Sequence, residues 1–296
     1  MPIRLHQDDP ELLREAIRFT SAETGFVPRL IEKDYFCSVV LEYLAASGAG
    51  LTFKGGTCLS KIHGGFYRLS EDLDFSIPTA LESSRGDRSR SVNPLKAVLK
   101  QLPQRLPGFR IVEPILGVNN STQYNAVVGY QSLIDGHLEP VSIEVGVREP
   151  NMMDAHQGVS KTMLLDPIGG QALVEAYAVR CLPYREAMAE KLRAALCRRE
   201  VAIRDFFDID HGVRGGRLNT GEAALLDLLR RKLAVPGTAP LDVSAERMGQ
   251  LRRQLNAELR PVLREQEFVQ FDLERAIATA RAVAQAVSRL GRTRIQ

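Results

Sequence analysis

Asp72 and Asp74 stand two apart in SEDLDFSI, a segment whose alternation predicts a strand over residues 73–77. Side chains alternate along a strand, so both carboxylates face one way while Leu73 and Phe75 face the other. Two carboxylates on one face repel unless a cation lies between them. A hard divalent ion with oxygen ligands, Mg²⁺ or Mn²⁺, suits such a pair, and it commonly keeps substrate phosphates among its ligands. Upstream, Gly55-Gly56-Thr57 opens a short helix (57–62) directly after a predicted strand at 51–53. Glycines let the backbone approach a ligand closely, and a helix N-terminus offers N–H donors to a phosphate. Thr57 and Ser60 could add hydroxyl contacts, and Arg68 reads either as a phosphate residue or as a plain surface arginine; Lys54 and Lys61 pose the same choice. The P-loop spacing is absent. Glu144, in VSIEV, lies on the opposite face from Val141, Ile143 and Val145. Placed beside the D-x-D strand it becomes a third carboxylate, either a metal ligand or a general base.

Taken singly these features have ordinary explanations: a solvated strand end, a turn, an exposed edge residue. Their order is more specific. A glycine-opened helix, then D-x-D, then a lone carboxylate on a later apolar strand is the signature of the nucleotidyltransferase fold. The elements that must position them follow from periodicity. Asp9-Pro10-Glu11 starts a helix to about Thr20, and LIEKDYFCSVVLEYL predicts another from Pro28 to Ala46. Residues 79–92, rich in Ser, Arg and Asp, read as a mobile loop, followed by a helix at 94–106 and strands at 109–116, 124–133 and 141–147. From Gly170 strand signals stop, and helices are predicted at 171–179, 184–199, 203–213, 220–233, 244–258 and 270–289. The expected architecture is α+β: a mixed sheet with helices over 1–165, then an all-helical lobe over 166–296.

The chain has 296 residues, 44% of them hydrophobic and 25% charged, with no Trp and only 6% aromatics. This excludes a disordered, collagenous or membrane protein and argues against extended base-stacking platforms. Net charge is +3, but Arg180–Arg204 carries seven basic residues against three acidic. Residues 251–296 add nine Arg against five acidic residues. These segments either face a polyanion or form solvated helix faces. Cys37, Cys58, Cys181 and Cys197 are scattered and form no ligand spacing with the five histidines. Free thiols in a reducing compartment, no zinc site and a cytoplasmic location are therefore expected. His63 reads as a packing or capping residue.

KGGTCLSK, FYRLSEDLDF, EKLRAAL and RDFFDI, with IEKDYF at Ile31–Phe36, resemble the AbiEii/AbiGii-type toxin nucleotidyltransferases, which include the MenT toxins. The resemblance covers residues 28–213. It implies a nucleotidyltransferase lobe and a helical lobe, and transfer of a nucleotide from an NTP with a divalent metal. Some members modify the tRNA acceptor end, and a neighbouring antitoxin opposes them without a stable complex. Asp72 and Asp74 match the metal-binding pair, and Gly55, Gly56 and Thr57 the phosphate-side motif. Ser70 matches a position that is phosphorylated in some relatives. Lys191 matches a family lysine, suited to neutralise triphosphate charge as a point cation. Asp205 matches the acid of the last motif, to position Lys191 or act as base, and Asp208, three residues on, competes for that role. Without the resemblance, Lys191, Arg198, Arg199 and Asp205 would read as exposed charge on an amphipathic helix pair.

The expected function is thus a metal-dependent nucleotidyltransferase toxin acting on RNA. Rival readings place the acceptor hydroxyl on a protein or small molecule, or make the chain a non-catalytic NTP- or RNA-binding module. A glycosyltransferase D-x-D fits less well, because too little chain precedes it.

Overall fold

A computed structural model describes residues 3–292. The first compact unit ends at Leu182 and the second begins at Pro183. In the first, α1 (Leu5–Asp8), α2 (Pro10–Thr24) and α3 (Pro28–Ala46) precede β1 (Thr52–Lys54). Next, α4 (Gly55–Cys58) runs straight into a π-helix, Leu59–Gly64, and then come β2 (Asp72–Ser76), α5 (Arg85–Ser91) and α6 (Asn93–Arg105). The remaining strands are β3 (Phe109–Val118), β4 (Gln123–Gln131), β5 (Leu138–Gly146), β6 (His156–Ser160) and β7 (Tyr177–Cys181). All seven strands form one mixed sheet in the order β3-β4-β5-β2-β1-β7-β6. The β2–β5 and β1–β7 pairs are parallel and the others antiparallel.

Local chemistry explains the helix starts. Asp9 accepts from the Leu12 amide at 2.9 Å with Pro10 behind it, and Pro28 opens α3 after an extended Val27. Buried residues cover almost the whole surface of α3 between Leu30 and Leu41, including three consecutive charges. Each charge anchors a different part of the unit. Glu32 accepts from the Leu133 amide at 2.6 Å and from Ser132 Oγ at 2.8 Å, and Lys33 donates to the Pro140 carbonyl. Asp34 takes Lys61 Nζ at 2.5 Å and the Met163 amide at 3.0 Å. Phe36 stacks on Tyr130 with centroids 3.8 Å apart. Beneath the sheet, Leu73 and Phe75 are buried, as the alternation predicts.

Three expectations need correction. Residues 79–92 contain a helix, α5, because Ser84 and Asp87 close a reciprocal capping box. Residues 171–179 are not helical. Their end belongs to β7, and β6 is a strand the sequence pattern did not predict. Since β6 and β7 join the sheet, the unit boundary falls at Leu182 rather than near 165.

The second unit consists, among the described residues, of helices. They are α7 (Tyr184–Cys197), α8 (Ile203–Arg214), α9 (Ala223–Leu233), α10 (Ala245–Gln254), α11 (Glu265–Gln270) and α12 (Leu273–Arg292). A π-turn and a 3₁₀ turn follow α10. Arg247 on α10 finishes the end of α7, donating to the carbonyls of Arg198 at 2.6 Å and Ala195 at 2.9 Å. Lys232 on α9 is buried between Glu186 and Glu190 at 2.7 and 2.9 Å. No described helix is long and apolar enough to cross a membrane.

Candidate active site

Strand register builds a polar row across the sheet. Lys54 pairs with Asp74, Asp74 with Glu144, and Glu144 with Asn125. Directly paired residues project to the same face, so one row carries a lysine, two carboxylates and an amide. Asp72 lies two residues along β2, opposite Ser142, and keeps to that face. Glu144 is exposed and accepts from Gln123 Nε2 at 3.0 Å. Among the described residues the three carboxylates do not bring one oxygen each within 4.8 Å of one another. They share a face as an open acidic strip.

The glycine turn fits against this strip. Gly55 has φ +75°, and a Cβ there would overlap the Asp74 carboxylate. A Cβ on Gly56 would stand 2.5 Å from Arg68 Nη2 and 3.1 Å from Ser70 Oγ. The two glycines therefore leave room for Asp74, Arg68 and Ser70 to lie against bare backbone. The predicted hydroxyls serve as braces: Thr57 Oγ1 donates to the Asp72 carbonyl and Ser60 Oγ to the Arg68 carbonyl, each at 2.5 Å. Thr57, Ser60 and Arg68 are each about 1% exposed. Lys61 is a structural ion pair to Asp34 rather than a residue of this turn. We expect Gly55→Ala to cost about 1–2 kcal/mol from the left-handed backbone alone and to force Asp74 aside. A melting temperature equal to that of the unaltered protein would contradict this.

In the second unit, α7 carries Lys191 and α8 carries Asp205 and Asp208. Lys191 Nζ lies 2.7 Å from Asp205 Oδ1 and 3.0 Å from Asp208 Oδ2. Both of the acids that compete for the family role lie on the lysine. Asp205 also takes Arg198 at 3.5 Å. The lysine is 13% exposed while both acids are buried, so its position is fixed by the pair.

The family model described as nucleotidyl transferase AbiEii toxin, type IV TA system, matches residues 40–286. The chain belongs to the AbiEii family. KGGTCLSK, SEDLDF, EKLRAAL and RDFFDI all lie inside the matched span, while IEKDYF precedes it. As an AbiEii protein it is a nucleotidyltransferase of a type IV toxin–antitoxin system, a class that implies an NTP substrate, an antitoxin and usually a divalent metal. JHP933 from Helicobacter pylori shares the fold at a TM-score of 0.50 and 14% identity, over 90% of this chain and 97% of that one. A second H. pylori structure, bearing the name nucleotidyltransferase, aligns at 17% identity and TM-score 0.46, covering 96% and 98%. No curated protein matches.

In AbiEii terms, the acidic strip suits a hard divalent ion, because its carboxylates and the amides beside them offer oxygen donors. Sequence reasoning weighed Lys54 only as a phosphate or surface residue and missed Asn125 and Gln123; strand register puts Lys54 and Asn125 in the row, and Gln123, two residues along β4, donates to Glu144. It also missed a second cluster. Cys58, His63 and Cys181 bring their ligand atoms within 4.8 Å of one another. The expectation that cysteines and histidines are unrelated holds along the chain and fails in space.

Proposed function

We propose that this AbiEii protein transfers a nucleoside monophosphate from an NTP to a hydroxyl of RNA, with tRNA as the acceptor class. The observation that carries the reading is the packing of the Asp74 carboxylate onto the Gly55 backbone within a matched nucleotidyltransferase span. Asp72 and Asp74, with Glu144 as a third donor, are the residues that would hold Mg²⁺ or Mn²⁺. Such an ion, when bound, stabilises charge on the attacking and leaving oxygens of an in-line displacement. The backbone amides at the Gly55 turn favour a phosphate there. The acceptor hydroxyl attacks the α-phosphorus, the bond to the bridging oxygen breaks, and pyrophosphate leaves. Lys191, held by Asp205 and Asp208, matches the family lysine suited to neutralise triphosphate charge. The Arg-rich segments of 180–204 and 251–296 support a polyanionic acceptor, whose binding salt would weaken.

Intact-mass analysis of tRNA incubated with each NTP and Mg²⁺ tests the reading. The expected result is added nucleotide mass on tRNA with at least one NTP. Labelled nucleotide recovered only on protein, or pyrophosphate never released, would reject the RNA acceptor or the transfer itself.

A further inference from the structure

The cluster around Cys58 lies apart from the acidic strip in its chemistry. Its donors are two sulfurs and imidazole nitrogens, which suit Zn²⁺ and related soft or borderline ions, whereas the strip offers oxygen. Four separate segments build it. Cys58 closes α4 and His63 sits on the π-turn that continues it, five residues away. Cys181 ends β7, and β6 places His156 directly opposite it.

We propose that Cys58, His63, Cys181 and His156 form a tetrahedral Zn²⁺ site of the Cys₂His₂ type. Zn–S bonds of ~2.3 Å and Zn–N bonds of ~2.0 Å put ligand atoms ~3.3–3.8 Å apart around a tetrahedron. His156 Nε2 lies 3.7 Å from Cys181 Sγ, already at that spacing. The other three ligand atoms lie within 4.8 Å of one another, so a contraction of about 1 Å brings those three to tetrahedral spacing, and a swing of the exposed His156 ring toward Cys58 and His63 completes the set. The two imidazole rings are 5.9 Å apart. His63 Nε2 stands 3.0 Å from the Leu182 carbonyl oxygen. A ring whose Nε2–H is spent on a carbonyl keeps its lone pair on Nδ1, the outer hydrogen bond that metal-ligating histidines typically make.

A further feature supports the assignment. Gly158, two residues after His156, leaves the space: a Cβ there would stand 2.8 Å from Cys181 Sγ and 2.6 Å from Ile62. All four cysteines are reduced. Bound metal would rivet the glycine-turn helix to β7 and β6, because Cys58 directly follows Thr57, the brace on Asp72.

The test is Co²⁺ and Zn²⁺ titration of the reduced full-length chain. It reads the metal directly and stands independently of nucleotidyl transfer. One equivalent of Co²⁺ is expected to give thiolate charge-transfer absorption and the visible bands of a tetrahedral ion, which Zn²⁺ then bleaches. At 100-fold over Kd, Zn²⁺ should raise the melting temperature by roughly 5–10 °C. Cys58→Ser and Cys181→Ser should each lower the thiolate band by about half or more, and the double variant should abolish it. His156→Ala, at an exposed position that the fold tolerates, should weaken binding at least ~10-fold. A reduced wild-type protein that gives no thiolate–Co²⁺ band overturns the proposal. So does a band of full intensity in Cys181→Ser, or affinity unchanged in His156→Ala.

Discussion

Asp74→Asn is expected to lower nucleotide transfer at least ~10³-fold, about 4 kcal/mol of barrier, with the melting temperature shifted by only a few degrees. Asparagine keeps the volume of aspartate, so the side chain still packs against Gly55 and the turn keeps its shape. What changes is charge, and only charge lets this oxygen hold a divalent ion beside the phosphate turn. Folding should hardly suffer, since Asp74 shares its face with Asp72 and Glu144, and losing one of three like charges relieves repulsion. Steady-state transfer assays, with circular dichroism to confirm folding, make the comparison. A variant retaining more than about a tenth of the activity would remove Asp74 from the chemistry.

Lys61→Met is expected to be the most destabilising single change in the sheet-bearing unit, at about 3–5 kcal/mol. Lys61 and Asp34 are almost fully buried, 2.5 Å apart. Lys61 also donates to Ser38 Oγ at 2.7 Å and to the Lys161 carbonyl at 3.3 Å, while Asp34 holds the Met163 amide. One ion pair thus fastens α3, the π-turn and the segment before β7. Removing the cation strands a buried carboxylate, and the penalty comes from that uncompensated charge rather than from the pair's own attraction. A melting temperature lower by roughly 10 °C would follow. Lys61→Met with Asp34→Leu should recover part of the loss, because neither charge is then left alone. A single variant within 1 kcal/mol of wild type in urea unfolding would show the pair to be dispensable.

Much of the architecture was legible because local rules and global fold agree. Asp9-Pro10 and Pro28 mark their helices to the residue, and D-x-D sits on its strand with Leu73 and Phe75 turned inward. The capping box that starts α5 was also present as Ser84 and Asp87, but the surrounding Ser and Arg content argued for a loop. β6 and β7 were hidden for another reason. Each has five residues, and the Ala- and Glu-containing stretch before β7 imitates helical periodicity. The acidic strip could be proposed from spacing, but that Glu144 stands beside Asp74 depends on a parallel β2–β5 pairing between strands far apart in sequence. The Cys–His cluster was beyond reach for the same reason, since 58, 63, 156 and 181 meet only through strand pairing.

The borders of the sheet carry a further implication. β3 forms one border, with Ile111, Val112, Leu116 and Val118 exposed, a composition that invites a foreign strand to add on. Its register slips twice, between Ile111 and Glu113 and between Glu113 and Leu116, and Pro114 lacks an amide to offer. At the opposite border β6 is only five residues long. Neither side presents a long straight ladder, so the fold can carry apolar side chains at its rim without seeding fibrils.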